Sequence, residues 1–257
     1  MADNIRQYQT RVPGAVTADA AIDQGLRAYM IRVYNLMALG LAITGLAALG
    51  TMMLATNGAI VATLPNGVGL TSFGVAIYGS ALRWVVILAP LALVFFLGFR
   101  INRMSVSAAQ TTFWVYAALV GVSLSSIFLI YTAASITQTF FVTAAAFGAL
   151  SLFGYTTKRD LTAMGSFLIM GVFGIIIAMI VNIFLQSTAL EFAISAIGVL
   201  VFAGLTAYDT QQIKDGYYAI AGDGGMETKS AIVGACNLYL DFIGMFQNLL
   251  SLLGDRE

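Results

Sequence analysis

From Val33 to Leu82 the chain runs 50 residues without an Asp, Glu, Lys or Arg, and from Met104 to Thr157 it does so for 54. A soluble fold can bury a core, yet it must still clothe its outside in charge. Stretches of this length therefore exclude water as the surrounding solvent. Of 257 residues 60% are hydrophobic and 9% charged, against about 25% charged in an ordinary soluble domain. The expected fold class is all-α, a polytopic protein of the lipid bilayer.

A helix needs about 20 mainly apolar residues to cross hydrocarbon. Seven stretches meet that requirement: 30–55, 82–99, 108–131, 137–155, 163–185, 192–213 and 230–253. Residues 56–80 are only mildly apolar and contain Pro65 and several glycines. They read as an external loop, partly re-entrant. Residues 1–28 are polar and of mixed charge, which predicts a soluble tail rather than a signal peptide. Within it Thr17 can cap a short helix. The expected division is a tail over 1–28 and a membrane domain over 29–257.

Lys and Arg collect in cytoplasmic connections. Arg6, Arg11, Arg27 and Arg32 precede the first span, Arg100 and Arg103 follow the second, Lys158 and Arg159 the fourth, and Lys214 and Lys229 flank the turn after the sixth. Only Arg83 and Arg256 fall on the other side. The expectation is a cytoplasmic N-terminus and an external C-terminus. Basic and acidic residues balance at 12 each, so no bulk charge recruits nucleic acid.

Histidine is absent and Cys236 is the sole cysteine. That removes Ser-His and Cys-His nucleophiles, His-liganded zinc and haem. No cofactor and no enzymatic centre are expected, and Cys236 reads as a small packing residue. Proton chemistry falls to carboxylates. Two lie inside apolar runs: Asp209 in "FAGLTAYDTQQIK" and Asp241 in "CNLYLDFIGMFQNLL". A charge at a helix centre costs at least about 2.5–3.5 kcal/mol on insertion scales, so such residues turn to an interior or a cavity.

Helical spacing gives both aspartates polar company. Thr206, Asp209 and Gln212 share a face of the sixth span, and Asn237, Asp241 and Asn248 form a stripe on the seventh. Counted from Lys214 and Lys229, the two carboxyls lie at unequal depths, about 8 and 18 Å at 1.5 Å per residue; a late start to the seventh helix would narrow the gap. Two facing carboxylates cannot both ionise cheaply, so they should share a proton and titrate as a pair. As hard oxygen ligands they also suit a cation such as Ca²⁺. Arg100 and Arg103, at the inner end of the second span, reach the same membrane face as Asp209.

"YDTQQIK" closing the sixth span, "LYLDFIGMFQNLL" in the seventh and "YAALVGVSLSSIF" in the third make the chain similar to the Bax inhibitor-1 (transmembrane Bax inhibitor motif) family, in its bacterial branch. The resemblance covers everything except the polar head. It implies a bundle whose C-terminal helix is central, in a bacterial inner membrane. It also implies a pH-sensitive Ca²⁺ leak governed by a di-aspartyl sensor at Asp209 and Asp241, latched by a second-helix arginine that either Arg100 or Arg103 could supply. The segment 215–228 looks longer than the corresponding loop of compact bacterial members.

Two other readings compete. Intramembrane aspartyl proteases also pair Tyr-Asp in one helix with an aspartate in the next, but "LYLDF" lacks a Gly-x-Gly-Asp motif, and the only "GDGG" surrounds Asp223, in a loop. The third reading is a non-transporting modulator that binds a membrane protease, with the soluble tail as its docking element.

Overall fold

The computed structural model describes residues 13–64 and 67–256. Its framework is seven long helices: α1 (Pro13–Thr56), α2 (Leu82–Arg100), α3 (Val106–Leu124), α4 (Ala133–Thr156), α5 (Thr162–Leu185), α6 (Thr188–Ile220) and α7 (Gly224–Leu253). Polar residues in the connections start them. Side-chain oxygens of Ser105, Thr132 and Ser187 accept from Ala108, Ser135 and Leu190 N–H at the heads of α3, α4 and α6, supplying bonds the first turn cannot make for itself. Asp223 caps α7 through Gly225 and Met226 N–H, which gives the "GDGG" a structural reason for being there.

Six helices, α1 to α6, are long and apolar enough to cross a membrane. The exception is α7, although 30 residues reach about 45 Å. Its surroundings explain its polarity. Thirteen of its residues are buried, and it packs against α1, α3, α4 and above all α6. A helix whose neighbours are protein has no need of a uniformly apolar coat. At its centre Tyr239, fully buried, meets Phe113 and Tyr116 edge-on at 5.9 and 5.6 Å. The Tyr239 hydroxyl lies 2.6 Å from Thr44 Oγ1, which is itself 2.9 Å from Ala117 O. One chain of hydroxyls thus ties α7 to α1 and α3.

Three boundaries differ from expectation. The helix expected to start at Thr17 is part of a continuous α1 from Pro13, so no break separates tail from span at residue 28; residues 1–12 of the tail lie outside those described. The expected long loop 215–228 is mostly helix, because α6 runs to Ile220 and α7 starts early, not late, at Gly224. Tertiary contacts hold these extra turns: Tyr217 packs on Tyr29 at 5.2 Å, the Tyr29 hydroxyl meets Ser230 Oγ at 2.9 Å, and Arg32 donates to Thr228 Oγ1 at 3.1 Å. The segment 56–80 holds a two-stranded hairpin (β1, Ala62–Thr63; β2, Gly69–Leu70) and a helical stretch, Ser72–Gly79. Thr71 fastens it to the end of α1 through Leu54 O and Ala55 O.

The same end of the bundle, where the Tyr78 hydroxyl meets Ser125 Oγ at 2.7 Å, closes on the C-terminus. Thr132 N donates to Asp255 O at 3.1 Å, and Arg256 bonds Glu191 at 2.6 Å. Against α6, α4 comes close enough that a Cβ at Gly154 would collide with Ala207 O, whereas Gly148 on the same helix faces open space. We expect Gly154→Ala to lower the thermal midpoint in detergent through overpacking of about 1–3 kcal/mol. Gly148→Ala should hold or raise it by the helix preference of Ala over Gly, about 0.5–1 kcal/mol.

Candidate functional site

The side chains of Asp209 on α6 and Asp241 on α7 meet within hydrogen-bonding reach of one another. Asp241 is 3% exposed and Asp209 half-buried. Oδ2 of Asp241 is enclosed and has no hydrogen-bond donor among the described residues. Ionised carboxylates only accept, so a bond between these two requires a proton held between them. Fully ionised, two unit charges 4 Å apart at an effective dielectric of about 20 would repel by about 4 kcal/mol.

Both carboxyls open onto a cavity of about 330 Å³ between α5, α6 and α7. Phe202, Leu205, Leu240 and Ile243 form its apolar wall, and the amides of Asn237 and Gln247 its polar one. Among the described residues no three Asp, Glu, Cys or His side chains converge as a metal cage. A Ca²⁺ ion takes six to eight oxygens, so here it would depend on the two carboxylates, the amide oxygens and water. That donor set suits a passing ion better than a resident one.

The other residues singled out from the sequence divide. Asn237 faces the carboxyl cavity. Asn248 donates to Gly244 O at 2.7 Å, and its amide sits where a Cβ on Gly198 of α6 would be. It lines a neighbouring cavity rather than this one. Thr206 is buried and gives its proton to Phe202 O at 2.8 Å, within its own helix. Gln212 is exposed and reaches toward Thr162 Oγ1 at 3.4 Å.

Arg100 and Arg103 are not brought to the pair. Both are exposed, and neither has an acidic partner among the described residues. The reason is the position of α2, which packs chiefly on α3 at the edge of the bundle, away from α6 and α7. The cation nearest to Asp209 in sequence also turns aside: Lys214 Nζ donates to Tyr155 O at 3.0 Å and lies 3.9 Å from Asp215.

Three neighbours escaped the sequence reading. Gln211 is buried one position from the polar face and binds the α4–α5 connection, accepting from Leu161 N at 2.9 Å and donating to Arg159 O at 2.8 Å. Thr210 joins a hydroxyl chain through Ser151 (2.9 Å) to Tyr34 (2.7 Å) across α6, α4 and α1. Gln247 continues the stripe of α7, but Gly244 interrupts the polar spacing and hides it. The signal available for Gln211 was adjacency: a second amide beside Gln212 in "TQQ".

Comparison with known proteins matches residues 26–257 to a family model described as "Inhibitor of apoptosis-promoting Bax1". The chain is 47% identical over 250 residues to an uncharacterized protein of Rickettsia prowazekii, covering 96% of this chain and 98% of that one. It is 45% identical over 259 residues to a protein of Caulobacter vibrioides, covering both chains fully. With the inner membrane protein YbhL of Escherichia coli it shares 46% over 234 residues, 91% of this chain and 94% of the relative.

A proton held between two carboxyls has a spectroscopic signature. Infrared difference spectra across pH should show a protonated-carboxyl C=O band from this pair, altered in frequency or pH response in Asp209→Asn and in Asp241→Asn and absent in the double variant. A band unchanged in the double variant would place the proton elsewhere.

Proposed function

The chain belongs to the Bax inhibitor-1 family, and from that premise we propose that it is a pH-responsive cation leak, with Ca²⁺ as cargo, gated by Asp209 and Asp241. One observation carries this reading: the two carboxyls meet over a cavity with an oxygen of Asp241 left without a donor. With one proton between them, the pair fastens α6 to α7. A change of one proton changes the charge of the cavity by one unit and removes or restores that fastening. An ionised pair without a basic partner among the described residues is relieved by a mobile cation, which the amides of Asn237 and Gln247 can help to solvate. Affinity stays low, because two carboxylates and two amides fall short of a full Ca²⁺ shell. A weak site lets the ion leave.

In this reading α7 is the seventh crossing, central in the bundle. The end carrying Arg27, Arg32, Lys158 and Lys214 is cytoplasmic, as the excess of basic residues favours. The membrane is the bacterial inner membrane, by likeness to YbhL. The latch is the proton itself, with Arg100 and Arg103 serving as charged anchors at the membrane face.

Purified protein in liposomes loaded with a Ca²⁺ indicator tests the proposal. Wild-type flux should vary with pH, and Asp209→Asn and Asp241→Asn should each flatten that dependence, while Arg100→Gln and Arg103→Gln preserve it. Unchanged flux and pH response in both Asn variants would defeat the mechanism.

A further inference from the structure

The cavity at the carboxyl pair has a neighbour. A second cavity of about 550 Å³ lies between α5, α6 and α7 toward the end that carries Glu191, and the two share Val172, Phe202, Gly244 and Gln247 in their walls. Beyond the shared wall the second cavity is lined by Asn182, Glu191, Ser195, Asn248 and Ser251. The polar positions of α7 therefore continue past Asp241 for ten residues to Ser251, about 15 Å along the helix. On α6 they are Asp209 at one end and Ser195 and Glu191 at the other, with Asp209 and Glu191 eighteen residues or about 27 Å apart.

Two of these side chains bear on what fills the space. Asn237 and Gln247 are exposed on the middle stretch of α7, whose other residues between Ala231 and Leu250 are buried or half-buried, and neither amide has a hydrogen-bond partner among the described residues. An unbonded amide in hydrocarbon costs several kcal/mol, and polar groups in spanning helices face an interior or a water-filled cavity. Both amides line the cavities, and water entering there would supply the partners they lack. Three of the four residues the cavities share, Val172, Phe202 and Gly244, are apolar, and Gln247 is the polar one. Phe202 lies so close on Gly244 that a Cβ there would stand 2.5 Å from its ring.

Resting on the leak reading above, we infer that the two cavities are halves of one aqueous cation route and that Phe202, seated on Gly244, is the hydrophobic constriction between them. The outer half is a vestibule whose carboxylate, Glu191, is held at its mouth by Arg256 at 2.6 Å. An apolar constriction blocks ions by excluding water. The position of Phe202 couples it to the carboxyl pair. It precedes Asp209 by seven residues, two turns along one face of α6, and Gly244 follows Asp241 by three, less than one turn on α7. Any widening between the helices at the carboxyls slides the ring off its glycine.

Cysteine accessibility tests the route independently of transport. Cys236, the sole cysteine, is buried and is replaced in a Cys236→Ala background carrying Asn248→Cys or Asn237→Cys. A small cationic thiosulfonate reagent is then applied to the Glu191 side of sealed vesicles. Asn248→Cys should react readily and Asn237→Cys slowly. Phe202→Ala should speed Asn237→Cys about tenfold, equivalent to about 1.4 kcal/mol off the barrier, with Phe202→Leu, a folded apolar replacement, in between. An unreactive Asn248→Cys, or an Asn237→Cys rate indifferent to residue 202, overturns the inference. The outcomes separate it from the leak reading. The expected labelling without any Ca²⁺ flux in wild type keeps the route and sinks the leak, whereas pH-dependent flux without the labelling pattern sinks only the route.

Discussion

A carboxyl group enclosed at the middle of a helix that is itself packed among membrane-length helices constrains everything around it. Asp241 is 3% exposed, and hydrocarbon would exact several kcal/mol for it on any scale. The helix that carries it therefore needs protein on most sides. The architecture supplies that cover: α1, α3, α4 and α6 close on α7, and Tyr239, Thr44 and the Ala117 carbonyl lock it in register. Small residues make the closeness possible. Gly198 admits the Asn248 amide and Gly244 admits the Phe202 ring, so the α6–α7 interface is closely packed and also carries the paired carboxyls.

The electrostatics of that interface are those of an isolated pair. Basic residues at the ends of the bundle have partners other than the pair: Lys214 donates to Tyr155 O, Arg32 to Thr228 Oγ1 and Arg256 to Glu191. Neither second-helix arginine reaches across. With no fixed cation among the described residues beside the carboxyls, a proton or a mobile cation is left to neutralise them. That makes occupancy of the site a matter of solution conditions, the requirement for anything that senses pH or passes ions. The hydroxyl chain Tyr34–Ser151–Thr210, one position from Asp209, braces α6 against α4 and α1, so the freedom left to the site lies toward α5 and α7, where the cavities are.

Much of this was legible in one dimension. Charge-free runs marked the spans because hydrocarbon tolerates no unpaired charge, and the observed α2 and α5 start and stop within a residue of the apolar limits. Asp209 and Asp241 were conspicuous for the same reason. What misled was length beyond the membrane. Asp215 to Ile220 and Gly224 to Thr228 read as loop by polarity, yet Tyr217 on Tyr29 and Ser230 on the Tyr29 hydroxyl keep them helical; the partner residues are about 190 positions or more away in the chain. The arginines illustrate the converse error: sharing a membrane face with Asp209 does not bring a side chain near it.

The sequence by itself determined the solvent of this protein, the position of its helices and the identity of its two costly carboxylates, because transfer free energies act residue by residue. The three-dimensional arrangement decided which of those groups meet, that the arginines do not, and where Phe202 divides the polar track. Such choices are set by helix packing across the bundle, through glycines whose value lies in what another helix lays against them, and no local property of the chain encodes that.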